Sequence, residues 1–132
     1  MKLADIQICL IDDDPIYSFT TQVRFKNAGF EKSFIEFQNG ESAFNELFPH
    51  FQIQNSPIDI IFLDINMPIW DGWDFLDELE KNKEQKAPPI IMVSSSNNPD
   101  DKERSLNYSK VIAFEEKPLL PEKVIEILQN IH

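Results

Sequence analysis

Cysteine is almost absent from this chain of 132 residues, where Cys9 stands alone. An internal disulfide is thereby excluded, and no Cys/His spacing exists for a zinc site. Histidine is as scarce: His50 and His132 lie far along the chain from the acidic clusters, which argues against a transition-metal centre. Glycine occurs only at Gly29, Gly40 and Gly72. The chain carries no Gly/Ser linker, internal repeat or low-complexity tract, so its length is that of one domain, residues 1–132. Basic residues are few, 12 Lys and Arg against 23 acids, and the net charge of -11 repels polyphosphate backbones. Direct nucleic-acid binding is disfavoured. No long apolar run exists either, and the start MKLADIQICLIDDD has acids where a signal peptide or membrane span needs hydrocarbon. The expected compartment is the cytoplasm, without membrane contact.

Apolar side chains for a core are plentiful, at 42% of residues and with 11 Phe among them. They fall into short strand-like runs at Ile6–Ile11, Ser33–Phe37, Ile58–Leu63, Ile90–Val93 and Val111–Phe114, rich in Ile, Val and Phe. Between and after them the period changes to about 3.6, as in Ile16, Phe19 and Val23, or Ala43, Phe44, Leu47, Phe48 and Phe51. Phe75, Leu76 and Leu79 continue the pattern, as do Val124, Ile125, Leu128 and Ile131. A helix over Pro99–Leu106 has almost no apolar stripe, although Asn98 can cap it and Pro99 suits its first turn; it is expected to pack loosely. Strands alternating with helices predict an α/β fold of (βα)5 type, a doubly wound, five-stranded parallel sheet with helices on both faces. Sites in such sheets form at the carboxyl ends of the strands.

Those ends carry chemistry. The first run ends in Asp12, Asp13 and Asp14, the third in Asp64, the fourth in Ser94, Ser95 and Ser96, and Lys117 stands just past the fifth. Carboxylates crowded together disfavour one another's ionisation, and a bound cation relieves them. One or two carboxylates, with water and phosphate completing the shell, describe Mg2+ better than Ca2+ or Zn2+. Asp14 reads more simply as an acid complementing a helix N-terminus, and Cys9 as a small buried hydrophobe.

LIDDDP at residues 10–15, FLDINMPIWDGW at 62–73, MVSSS at 92–96 and EKPL at 116–119 occur together in that order. Over residues 5–131 the chain resembles the receiver domain of two-component response regulators, of the stand-alone chemotaxis type. The resemblance implies a flavodoxin-like fold and a phosphoacceptor without turnover of its own beyond self-phosphorylation and self-dephosphorylation. It implies that Asp64 is the phosphoacceptor, and that Asp12, Asp13, Asp64 and the backbone carbonyl of Asn66 hold Mg2+. Lys117 would contact the phosphoryl oxygens, Ser94 would be the switch hydroxyl, and Phe114 the aromatic that follows it inward. The Lys117–Pro118 bond would be cis, as is usual in the family. The implied partners are a sensor histidine kinase or histidine phosphotransfer protein and a downstream protein target read through the face of the fourth helix, fifth strand and last helix, with no output domain on this chain. Phe114 lacks the hydroxyl of a tyrosine, Trp70 stands where a smaller apolar residue is usual, and Leu120 replaces a capping residue.

Two other functions compete. Asp12-x-Asp14 at a strand end also resembles the nucleophile and acid/base pair of haloacid-dehalogenase-type phosphatases, but this leaves Asp64 unexplained. A pseudo-receiver that binds a partner without phosphorylation would not need Asp13, Asp64, Ser94 and Lys117 together.

Overall fold

The computed structural model describes residues 2–53, 56–82 and 84–131; His132 lies outside them. Among the described residues a short 3-10 helix at Leu3–Asp5 precedes five strands and five α-helices that alternate: β1 (Ile8–Ile11), α1 (Pro15–Asn27), β2 (Ile35–Phe37), α2 (Gly40–Gln52), β3 (Ile60–Asp64), α3 (Gly72–Glu80), β4 (Ile90–Ser94), α4 (Pro99–Ser105), β5 (Val111–Glu116) and α5 (Pro121–Asn130). All strand pairs are parallel, in the order β2-β1-β3-β4-β5, as the alternation predicts. Three strands start later than expected, because the apolar runs outlast the ladder at their amino ends. β1 starts at Ile8 rather than Ile6, β2 at Ile35 rather than Ser33, and β3 at Ile60 rather than Ile58. At the other end β3, β4 and β5 run on through Asp64, Ser94 and Glu116.

Every residue of β1, β3 and β4 is buried. Because successive strand residues face opposite sides, the sheet divides the core in two. Ile8, Leu10, Ile60, Phe62, Ile91 and Val93 pack with Phe25 of α1 and with Val124 and Leu128 of α5. Cys9, Ile11, Ile61, Leu63, Ile90 and Met92 pack with Leu47 of α2 and with Phe75 and Leu79 of α3. Burial pushes the Cys9 thiol up to about 12, which leaves it protonated and inert, as a small hydrophobe should be.

Helix starts follow the caps written in the chain. Asn39 accepts from Ser42 N–H at 2.8 Å, Asn98 from Asp100 N–H at 2.9 Å, and Asp71 with Asp74 forms a reciprocal capping box. Leu120 offers α5 no side-chain cap. Of α4 only Ser105 is buried, as its missing stripe predicts. Side-chain tips hold the segment instead. Arg104 lies 4.3 Å over the Trp73 ring, Tyr108 stacks on Trp73 and donates to Asp77 at 2.6 Å, and Ser109 donates to Glu80.

One expectation is overturned. Ile16, Phe19 and Val23 face solvent, at 75%, 66% and 42% exposure, and the buried residues of α1 are Ser18, Thr21 and Phe25. Both sets have the same three- and four-residue spacing, on opposite faces of the helix, so periodicity cannot choose between them. Tertiary packing chooses. Phe25 enters an aromatic group with Phe30, Phe34 and Phe62 at centroid separations of 5.2, 5.7 and 5.4 Å. Small side chains at Ser18 and Thr21 fill the rest of the buried face.

Phe25→Ala is expected to cost about 3–5 kcal/mol in urea unfolding, since the cavity would open inside that aromatic group. Phe19→Gln should change stability by no more than about 0.5 kcal/mol, the range for exposed positions. Equal losses from the two substitutions would contradict the assigned orientation of α1.

Candidate functional site

Strand order reverses direction at β1, between β2 and β3, and the carboxyl ends of β1 and β3 open into the crevice expected there. Asp12 directly follows β1 and Asp64 ends β3; each is 3% exposed. Asp13 turns outward to solvent. Carboxylate oxygens of Asp12, Asp13 and Asp64 lie within 4.8 Å of one another. Asp14 stands apart from this group, because its Oδ1 caps α1 by accepting from Ile16 N–H at 3.0 Å and Tyr17 N–H at 3.1 Å. A carboxylate spent on a cap is poorly placed for acid/base work, which removes the main support for the Asp12-x-Asp14 phosphatase reading.

Lys117 answers the clustered charge. Its Nζ lies 2.8 Å from Asp12 Oδ2 and 3.6 Å from Asp64 Oδ1, with 18% of the side chain exposed. The segment that carries it is fixed from several sides. Lys117 N–H donates to the carbonyl of Ser94 at 2.8 Å, the Lys117–Pro118 bond is cis as expected, and Leu119 N–H donates to the Tyr17 hydroxyl at 3.1 Å. The Tyr17 ring lies 4.3 Å from Lys117 Nζ.

Burial first, then the charge of Asp12, raises the Asp64 carboxyl from 3.8 to about 6; Lys117 and the Asn66 N–H pull the other way without cancelling it. Burial by itself would lower the pKa of Lys117, but the hydrogen bond and charge of Asp12 and the charge of Asp64 outweigh it, and the net direction is upward. The ammonium therefore stays charged. Asp12 Oδ1 accepts from Asp14 N–H at 2.9 Å, while Oδ2 has no partner among the described residues apart from the Lys117 ion pair. Three converging carboxylates with one under-satisfied buried oxygen fit a hard divalent cation with oxygen ligands.

The remaining expected residues fall around this centre. Asn66 N–H reaches Asp64 Oδ1 at 3.3 Å, and its side chain is exposed. Ser94 ends β4 beside β3, is 1% exposed, and its Oγ accepts from Ser96 N–H at 3.1 Å. Phe114, opposite Met92 on β5, is half-buried and packs on the α2/α3 side of the sheet. Trp70 packs on Phe44, and its carbonyl accepts from Gly40 N–H at 3.3 Å, so it braces the loop after Asp64 against α2.

Two contributors escaped the sequence reading. A Cβ on Gly72 would lie 2.6 Å from the Asp64 carbonyl oxygen, so only glycine lets α3 start this close to the end of β3. Its place in the DGW motif was the available signal. Tyr17 touches Lys117 across 100 positions of sequence, and nothing local announces that.

Comparison with known proteins agrees with this geometry. Residues 8–129 match the family model of the response regulator receiver domain. The chain is 32% identical over 102 residues to a gliding motility regulatory protein of Myxococcus xanthus, covering 77% of this chain and 12% of that protein. It is 30% identical over 95 residues to response regulator Rcp1 of Synechocystis sp., covering 71% of this chain and 65% of Rcp1. The chain thus spans less than two thirds of either relative. A two-component response regulator from Cytophaga hutchinsonii has a similar structure, with a TM-score of 0.79 at 25% identity over 95% of both chains. The Mn(2+)-bound form of Rcp1 gives 0.70 at 27% identity, over 96% of this chain and 91% of that one. With its parallel five-stranded fold and its acidic strand ends, the chain belongs to the response-regulator receiver domains of two-component systems.

Proposed function

We propose that this receiver takes a phosphoryl group onto Asp64 from a phosphohistidine on a sensor kinase or histidine phosphotransfer protein. The observation that carries this reading is the buried Asp64 carboxylate held beside the Lys117 ammonium in a three-carboxylate cluster. An Asp64 oxygen attacks phosphorus; the P–N bond to the donor imidazole breaks, its electron pair returns to the ring nitrogen, and an acyl phosphate forms. Phosphoryl transfer spreads negative charge over the equatorial oxygens, so fixed positive charge is what the site must supply. Lys117 supplies one such charge without further burial. Asp12, Asp13, Asp64 and the Asn66 carbonyl would hold Mg2+, which neutralises phosphoryl charge when bound.

Once Asp64 carries the new dianion, the Ser94 hydroxyl can leave its contact with Ser96 and donate to a phosphoryl oxygen. Phe114 then follows toward the space that Ser94 vacates, and a target protein reads the changed α4/β5/α5 face. A protein donor also needs surface beside the mouth of the site. Exposed Ile16 and Phe19 on α1 offer it, Phe19 lining one groove together with Asp12. Among the described residues no helix is long and apolar enough to cross a membrane, and we place the protein's action in the cytoplasm.

Intact mass after incubation with acetyl phosphate and Mg2+ tests the reading. One phosphoryl adduct is expected on the wild type and none on Asp64→Asn, with the far-ultraviolet circular dichroism unchanged. An adduct of equal yield on the variant would remove Asp64 from the chemistry.

Metal-free stability gives a second test. The folded state disfavours ionised Asp64, so the penalty is absent where both states are protonated, grows as pH rises from about 4 to 6, and is complete above about 6. Asp64→Asn removes it. The apo variant should exceed the apo wild type by up to about 3 kcal/mol at pH 7, shrinking to about a third of that at pH 4.5, in urea unfolding. A gain independent of pH would contradict the raised pKa.

At about 10 mM Mg2+ and a dissociation constant of about 1 mM, binding to the folded state alone should add about 1.4 kcal/mol to the wild type. Asp13→Asn removes a ligand, so its melting temperature should respond far less at matched ionic strength. Equal increments would put the cation elsewhere.

A further inference from the structure

Lys117 has to serve two sets of partners in the proposed reaction. In the resting site its ammonium sits on Asp12 at 2.8 Å, with Asp64 at 3.6 Å, whereas during transfer it must meet phosphoryl oxygens. A lysine stem has four rotatable bonds, and an ammonium is strongly hydrated, so neither set of contacts by itself keeps the group in place during the exchange. Something whose position does not change must hold it. Tyr17 is built for that task on geometric grounds. Its backbone is fixed in the first turn of α1, where its N–H donates to the capping carboxylate of Asp14 at 3.1 Å. Its ring presents its electron-rich face to Lys117 Nζ at 4.3 Å. Its hydroxyl accepts the Leu119 N–H at 3.1 Å, two residues beyond Lys117, and so ties down the segment that aims the lysine.

We propose that Tyr17 is a positioning residue for Lys117, its ring face holding the ammonium against the reacting carboxylates and its hydroxyl anchoring the chain that follows. The proposal rests on the phosphoacceptor reading of Asp64 and extends it to a residue on a different element. Ring and hydroxyl do separable things. The ring is uncharged and takes no proton, so its contact does not depend on which oxygen is the acceptor. The hydroxyl holds the backbone at Leu119. Tyr17→Phe therefore keeps the charge-holding face, and Tyr17→Leu removes it while retaining apolar bulk.

The test combines a rate with a direct reading of the lysine. In the wild type, the Lys117 Cε protons should be shifted upfield by the Tyr17 ring current in NMR spectra assigned through Lys117→Arg. The shift should persist in Tyr17→Phe and vanish in Tyr17→Leu. Phosphorylation by acetyl phosphate with Mg2+ should slow about fivefold in Tyr17→Leu, the factor that one moderately shielded cation–π contact is worth, and Tyr17→Phe should recover most of it. Beryllofluoride affinity, read by the same spectra, should weaken in step with the rate. If Tyr17→Leu proves poorly folded, Tyr17→Met replaces it with the same expectations, and the wild-type ring-current shift needs no variant at all. A wild-type Lys117 without that shift overturns the proposal. So does a folded Tyr17→Leu or Tyr17→Met that reacts at the wild-type rate, or a Tyr17→Phe as slow as Tyr17→Leu. A wild type that takes no phosphoryl group instead overturns the phosphoacceptor reading, and the role of Tyr17 in it falls as well.

Discussion

Two carboxylates buried at adjacent strand ends are tolerable only because one ammonium lies between them. Asp12 and Asp64 are each 3% exposed, and Lys117 Nζ reaches both. Removing the ammonium would leave both carboxylates buried without a counter-charge, which costs far more than the pairing gains. Much of the surrounding construction follows from keeping that ammonium in place. The carbonyl of Ser94 receives the Lys117 N–H, so the end of β4 is tied to the segment that carries the cation. Gly72 lets α3 start against the Asp64 carbonyl. Asp14 spends its side chain on α1 rather than adding a fourth negative group to the cluster. Even so, burial first and the charge of Asp12 second keep the pKa of Asp64 raised. A residual negative excess is what a divalent cation is suited to remove.

The strands were legible because burial on both sides demands unbroken apolar runs, and residues 8–11, 60–63 and 90–93 are of that kind. Their ends were legible for a related reason: an acid directly after such a run stands at the rim of the sheet and nowhere else. Asp12, Asp64, Ser94 and Lys117 were found in this way, and the structure brings them to one edge. The facing of α1 was not legible. Its two stripes are equally periodic, and only the position of Phe30, Phe34 and Phe62 in three dimensions decides that Phe25 goes inward and Phe19 outward. Tyr17 was hidden for the same reason, since its partner arrives from the other end of the chain.

The two halves of the core differ in what they leave adjustable. On the α1/α5 side four phenylalanines interlock, and shape complementarity there fixes the sheet that presents Asp12 and Asp64. On the α2/α3 side, Phe114 and Tyr108 are only partly covered, at the border where α4 meets β5. The interlocked phenylalanines thus back the strands that carry Asp12 and Asp64, and the more open border lies at α4 and β5.

The grip on α4 has a mechanical consequence. Arg104 and Tyr108 clasp Trp73 from outside, and Ser105 alone of the helix enters the interior. A helix seated by an apolar keel leaves a void when it moves, and the void resists the movement in proportion to its volume. Sliding α4 leaves almost none. A displacement would trade ring contacts for water at nearly constant volume, so hydrostatic pressure, which penalises voids in the folded state, would scarcely favour or oppose it.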